Sequence, residues 1–174
     1  MKRRELIETG IGGMALLALA SCARPSTPAA AFHDDGYNYA ILTPGDRTMI
    51  AALSTAILAG ALPAGAAAAG ALVQVVRGVD VAISGLTPSV QQEVSQLFAL
   101  LEFPVTRAFA AGIWSGWDGV SAGDADAFLT RWRYSGVALF RSGYQALHQL
   151  VMASWYGNGA SWPRIGYPGP PAVG

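Results

Sequence analysis

Residues 121–171 read SAGDADAFLTRWRYSGVALFRSGYQALHQLVMASWYGNGASWPRIGYPGPP, and their spacing decides the fold class. Phe128, Leu129, Trp132, Val137, Phe140, Tyr144, Leu147, Leu150 and Val151 recur at the three- and four-residue intervals of one buried helical face. Ser121 followed by Asp124 is a helix start of the capping-box kind. A break near Ser135 and Gly136 divides the pattern into two helices. The period stops at the tail, Ser154 to Pro171. There Trp155, Tyr156, Trp162 and Tyr167 stand in a frame of glycines and prolines. Glycine permits tight turns, and proline fixes φ and blocks helix or inner strand. Such a tail either packs back on its own domain or presents a preshaped surface to another protein, and composition leaves both open.

Towards the N-terminus the helical reading continues. Thr43, Pro44 and Asp46 supply an N-cap, a first-position proline and a first-turn acid. Met49, Ile50, Leu53, Ile57 and Leu58 follow at helical spacing, and Pro63 is expected to end the element. A second helix is expected from about Ala68 to Ser84, with Leu72, Val75, Val76, Val79 and Ile83 on one face. Thr87 and Pro88 repeat the cap-and-proline device before Val90, Val94, Leu97, Phe98 and Leu101, and Pro104 should break that helix after Phe103. Val105 to Trp114 reads as a further helical stretch with Phe109 and Ile113 inward. Trp114 and Trp117 then fall in a glycine-rich aromatic patch. The sum is an all-α fold, a small helical bundle with an extended Gly/Pro/aromatic C-terminal tail.

The first residues, MKRRELIETGIGGMALLALASC, read as an address. A basic start, a short apolar run and a small-residue end make an export signal, and the run is shorter than the roughly 20 residues of a membrane span. Arg3 and Arg4, followed by Glu5, Leu6 and Ile7, resemble a twin-arginine signal; an ordinary export signal is the alternative. Leu19, Ala20, Ser21 and Cys22 resemble a lipobox, which makes Cys22 a lipidation site, and two or more acyl chains anchor stably. The organisation expected is an export signal over 1–21, a lipidated cysteine and linker over 22–42, and a helical domain over 43–174 with its docking tail from about 154. Within 32–42, the alternation of Tyr37, Tyr39 and Ile41 allows a short extended segment lying on the domain.

Composition narrows the function classes. Lys2, Arg3, Arg4, Glu5 and Glu8 lie in the leader, leaving eight basic and nine acidic residues beyond it and no lysine. With a formal charge of −1 beyond the leader, the domain lacks the basic footprint of a nucleic-acid binder. Cys22 is the only cysteine, so no internal disulfide or thiolate metal site can form. His33, Asp34 and Asp35 are adjacent, and adjacent ligands rarely converge on one ion, so a solvated linker is preferred. His148 has Tyr144, Gln145, Val151 and Met152 at ligand spacing, which favours a structural role. Asp124 and Asp126 read as helix-start residues, and Glu93 and Glu102 make no pair. Arg131, Arg133 and Arg141 either solvate a face or meet a partner's carboxylates. No catalytic constellation, nucleotide motif, haem motif or metal site is read.

The pattern F-L-x-x-W, then L-F-R-x-x-Y-x-A-L, and the ending Tyr156, Gly157, Asn158, Trp162, Ile165, Gly166, Tyr167, Pro168, Gly169 and Pro170 resembles the C-terminal signature of the gluconate 2-dehydrogenase subunit 3 family. A single glycine precedes Asn158 where the family often has two. The resemblance covers residues 121–171. It implies a non-catalytic accessory subunit, with no cofactor of its own, of an FAD-dependent dehydrogenase of the glucose-methanol-choline type. It further implies a large flavoprotein subunit as partner, a cytochrome c subunit or quinone as electron outlet, and a place on the periplasmic side of a bacterial membrane. The small subunit would help the flavoprotein fold, carry it through twin-arginine export and tether it. The partner interface expected is Trp155, Tyr156, Asn158, Trp162, Tyr167 and Pro168.

Overall fold

The computed structural model describes residues 32–171. The expected signal with Arg3 and Arg4, and the expected lipidation site Cys22, lie outside the described residues. The described chain is all-α, a small bundle without a strand among the described residues. Its main helices are α1 (Pro44–Ile57), α2 (Ala67–Ser84), α3 (Pro88–Glu102), α5 (Ala122–Arg133) and α6 (Ala138–Tyr156). A short α4 (Pro104–Thr106) runs into a π-helical turn, Arg107–Ala111, and α7 (Trp162–Ile165) closes the tail.

The caps are where local chemistry requires them. At α1, the Thr43 hydroxyl accepts the Asp46 N–H at 3.2 Å and the Asp46 carboxylate accepts the Thr43 N–H at 2.9 Å, a reciprocal capping box. The helix then buries Met49, Ile50 and Leu53 completely. It ends at Ile57, well short of Pro63, because Gly60 takes a left-handed φ of +80° and turns the chain first. Ser121 caps α5 by accepting the Asp124 N–H at 3.2 Å. Phe103 is held extended at ψ 124° by the ring of Pro104, and α3 stops there.

Helix α2 is apolar enough by length and composition to cross a membrane, with a mean hydropathy of 1.4. In this fold it is a core helix: Val75, Val76, Val79 and Ile83 are fully buried. It lies close against α6, since a Cβ built on Gly78 would come within 2.9 Å of the Ser154 Cβ. Across the bundle an aromatic ladder runs from Trp117 through Phe128 and Trp132 to Phe140, with neighbouring ring centroids 6.2, 4.8 and 5.1 Å apart.

Three sequence expectations change. Phe109 is 80% exposed rather than inward. The π turn takes more residues per revolution than an α-helix, so the phase shifts; Ala108 and Ala111 face the core and Phe109 faces out. Ile113 is buried as expected, but beyond Gly112, which ends the turn at φ +65°. Val137 precedes α6 and is 52% exposed, because the α5–α6 break extends to it. Residues 32–42 form a strap on the body, as the Tyr37–Ile41 alternation allowed, so the packed unit begins before residue 43, the expected division between linker and domain. Asp80, 1% exposed, accepts the backbone N–H groups of Ala40, Ile41 and Leu42, each at 2.9 Å.

Candidate docking surface

The tail is wound into turns rather than extended. Asn158 accepts the Ala160 N–H on its Oδ1 at 2.9 Å and caps the 3-10 turn Gly159–Ser161. Its Nδ2 donates to Gln74 Oε1 at 3.4 Å. The Trp162 indole N–H donates to the Tyr156 carbonyl at 2.9 Å. Gly166, at φ +67°, then closes α7 with two reverse bonds, Tyr167 N–H to Trp162 O at 3.1 Å and Gly166 N–H to Pro163 O at 3.4 Å. This is a Schellman motif, and its usual apolar contact is the Trp162–Tyr167 pair, edge to face at 5.3 Å. Gly169, at φ +101°, lies over the Trp162 ring, where a Cβ would approach to 3.1 Å.

These contacts separate the expected interface residues. Trp155 is 3% exposed and belongs to the core, reaching the surface only at the floor of a cleft beside the tail. Tyr156, Asn158 and Trp162 are partly buried and set the tail's shape. Tyr167 is 45% exposed and Pro168 is exposed, and they are joined on the surface by Ile165. Between the tail and the α1–α2 loop lies an open cleft of about 450 Å³, lined by Gly60, Ala61, Tyr156, Arg164 and Ile165. An aromatic ledge beside an open cleft is the kind of feature that anchors a protein contact.

A second apolar surface was foreshadowed in the sequence only by Trp114. Phe103, Val105, Phe109 and Trp114 are all more than half exposed, with the Phe109 and Trp114 rings 6.3 Å apart. The expected aromatic patch therefore splits, since Trp117 is buried and donates its indole N–H to the Leu101 carbonyl at 3.0 Å.

The ionisable groups serve the fold. Asp34, expected as solvated linker, is instead clamped: Arg77 donates from Nε at 2.8 Å and from Nη2 at 2.6 Å, and Tyr39 donates its hydroxyl at 2.7 Å. The Arg77 hydrogen bonds, then that of Tyr39, hold the Asp34 carboxyl down at about 2. Burial and then the bond to Asp34 push the Tyr39 phenol up, and the same carboxylate raises Arg77. His33 and Asp35 are exposed. His148 stacks obliquely on Tyr144 at 5.5 Å. Arg131 and Arg141 each donate to a backbone carbonyl, of Ala111 and Ser135, and Arg133 lies over the Tyr134 ring at 5.3 Å. Asp124 is spent on its cap, while Asp126 and Glu93 are exposed. Burial, and then the Asp46 charge, raise the Glu102 carboxyl, with Arg107 opposing. Among the described residues, no three His, Cys, Asp or Glu side chains are grouped so as to hold a metal ion. Comparison of the chain with protein-family models, with curated proteins and with solved structures finds no match.

Proposed function

We propose that this chain is the non-catalytic small subunit of a membrane-associated, FAD-dependent dehydrogenase of the glucose-methanol-choline type. In this reading it resembles the gluconate 2-dehydrogenase subunit 3 family. It assists folding of the flavoprotein, carries it through twin-arginine export on Arg3 and Arg4, and tethers it on the periplasmic side through Cys22. FAD belongs to the large subunit, and electrons leave through a cytochrome c subunit or a quinone. A flavoprotein must fold around its cofactor before export, so a leaderless flavoprotein would need a partner that carries the address.

The observation that carries this reading is the Tyr156–Pro170 signature. Its glycines and its tryptophan build a pinned turn that leaves Ile165, Tyr167 and Pro168 at the surface. The test is affinity capture of the tagged, solubilised protein from its native membrane. A stoichiometric partner with a flavin spectrum is expected. Tyr167→Ala should weaken that association by about 2 kcal/mol, roughly 30-fold, if the ring is an anchor. Circular dichroism should be unchanged, since Tyr167 is outside the core.

A second reading is a stand-alone envelope lipoprotein with a structural or protein-binding role. It is favoured by one observation: Trp155 is buried and Trp162 is hydrogen-bonded within their own domain, so the tail holds its shape without a partner. A colourless chain recovered alone would select it.

A further inference from the structure

We propose that the segment Phe103–Trp114 is a membrane-contact face that rests in the interfacial layer of a phospholipid bilayer. Phe103, Val105, Phe109 and Trp114 are 59, 56, 80 and 76% exposed on one short run of chain. The run carries a single charge, Arg107, which is buried and donates to the Glu102 carbonyl at 2.9 Å. The π turn aims Phe109 outward beside Trp114, whose ring also edges an open cleft with Ile113 and Arg131. A run of exposed apolar side chains that carries no exposed charge of its own marks a contact surface.

Two features select the bilayer as that phase. The first is the length of chain beyond the described residues. Nine residues separate Cys22 from Phe32, so an acylated Cys22 keeps Phe32 within about 36 Å of the headgroups. Phe32 lines a groove with Trp117, three residues after Trp114, so the apolar run lies near the strap's entry to the body. The second is charge. The guanidinium of Arg131 fills the space over Gly112 at the edge of the Phe109–Trp114 pair. It forms no ion pair among the described residues, where the one ion pair joins Arg77 to Asp34. Tryptophan favours the headgroup level, and a guanidinium matches lipid phosphate. Asp118 is exposed four residues after Trp114, and Asp124 is exposed and shares a cleft with Trp114 and Arg131; these acids limit contact to the interface and not the hydrocarbon centre. The inference rests on the lipid-anchored reading of Cys22 given above.

The test is fluorescence of the full chain purified from membranes and reconstituted in vesicles of phosphatidylethanolamine and phosphatidylglycerol with brominated acyl chains. Trp117, Trp132 and Trp155 are buried, so bromine-quenched emission reports on Trp114 and Trp162. Quenching is expected, lost in Trp114→Phe, retained in Trp162→Phe and reduced in Phe109→Ser. Mass spectrometry of the Cys22 peptide reads the anchor separately. An acylated chain on vesicles whose Trp114 is not quenched overturns the membrane face while leaving the anchor intact. A Trp114 that is covered only when a co-purified protein is present overturns it in favour of a protein contact. An unmodified Cys22 with Trp114 quenched retains the face and removes the acyl tether. Phe109→Ser lies on an exposed side chain, and unchanged circular dichroism separates lost contact from lost folding.

Discussion

Replacing Asp80 tests how the N-terminal strap is held. Asp80 sits on the inward face of α2 and accepts three consecutive backbone N–H groups, from Ala40, Ile41 and Leu42, at 2.9 Å each. Hydrogen bonds to a charged acceptor contribute about 1.5–3 kcal/mol each, but the three are not equivalent. Ala40 is exposed and Ile41 partly exposed, so their N–H groups turn to water once the acceptor is gone. Leu42 is 3% exposed, and its N–H is left buried and unpaired at the full cost of about 1–3 kcal/mol. Asp80→Ala should therefore cost about 2–5 kcal/mol, a large share of the 5–15 kcal/mol that holds a domain together. Asp80→Asn keeps the shape and one oxygen. Oδ1 can still serve Ile41 and Leu42, while an amide NH₂ now faces the Ala40 N–H. Its cost should be smaller, about 1–2 kcal/mol. Urea unfolding gives the global value, and hydrogen exchange at amides 40–42 gives the local one. Asp80→Ala should speed exchange there by at least about tenfold, since 1.4 kcal/mol is a factor of ten. If those amides exchange no faster in Asp80→Ala, the carboxylate does not hold the strap and the reasoning fails. Equal losses for Ala and Asn would assign the effect to charge and not to the number of acceptors.

Three further outcomes follow from the packing and the charges. Gly78→Ala places a methyl 2.9 Å from the Ser154 Cβ and 3.3 Å from its Cα, backbone that cannot yield, so α2 and α6 must part. A loss of about 1–3 kcal/mol is expected in thermal unfolding, and a neutral variant would mean the two helices are not in close contact. Asp34, held down at about 2 from an ordinary 3.8, contributes stability that is whole above pH 3.8 and lost as pH falls through 2. Exchange at the strap amides should rise over that window, and Asp34→Asn should remove the part of that rise that the Arg77–Asp34 pair carries. Glu102 behaves in the opposite sense: its carboxyl is raised from 4.5, so the folded state is increasingly penalised as pH climbs above 4.5. Glu102→Gln should be more stable than the parent at neutral pH and show little difference at pH 4; urea midpoints at both values decide it.

Much of the fold was legible because the caps are chemical and local. Thr43 with Asp46, Thr87 before Pro88, and Ser121 with Asp124 mark helix starts wherever they occur. The turn at 107–111 was not legible, since a π turn has no residue signature, and its change of phase sent Phe109 to the surface. Trp155 was legible in principle. It lies four residues after Val151 and eight after Leu147, both fully buried, so helical spacing alone places it inward. Reading it with Trp162 and Tyr167 as one aromatic cluster hid that spacing. Asp80 also left a signal. It follows Val76 and Val79 and precedes Ile83 on an apolar face, and an acid there must find donors. What the sequence could not say is that the donors come from residues 40–42, about forty positions away.

The same helix also fixes the tail. Gln74, Arg77 and Asp80 succeed one another along α2, three residues apart. Gln74 meets Asn158 of the tail, Arg77 meets Asp34 of the strap, and Asp80 meets the strap backbone. Arg77 lies over the Tyr37 ring at 5.0 Å, and both line a groove that ends at Asn158. The two described chain ends are therefore braced against one rigid element and not against each other. The strap is held by a carboxylate clamp and an ion pair, whereas the tail's tie to α2 is a single exposed amide contact of 3.4 Å. Its shape comes from within, through Trp162, Gly166 and Gly169. Loosening the strap through Asp80 should then leave the tail's Trp162 environment unchanged. Near-ultraviolet circular dichroism, taken as the difference between each protein and its Trp162→Phe counterpart, would detect any coupling between the two ends.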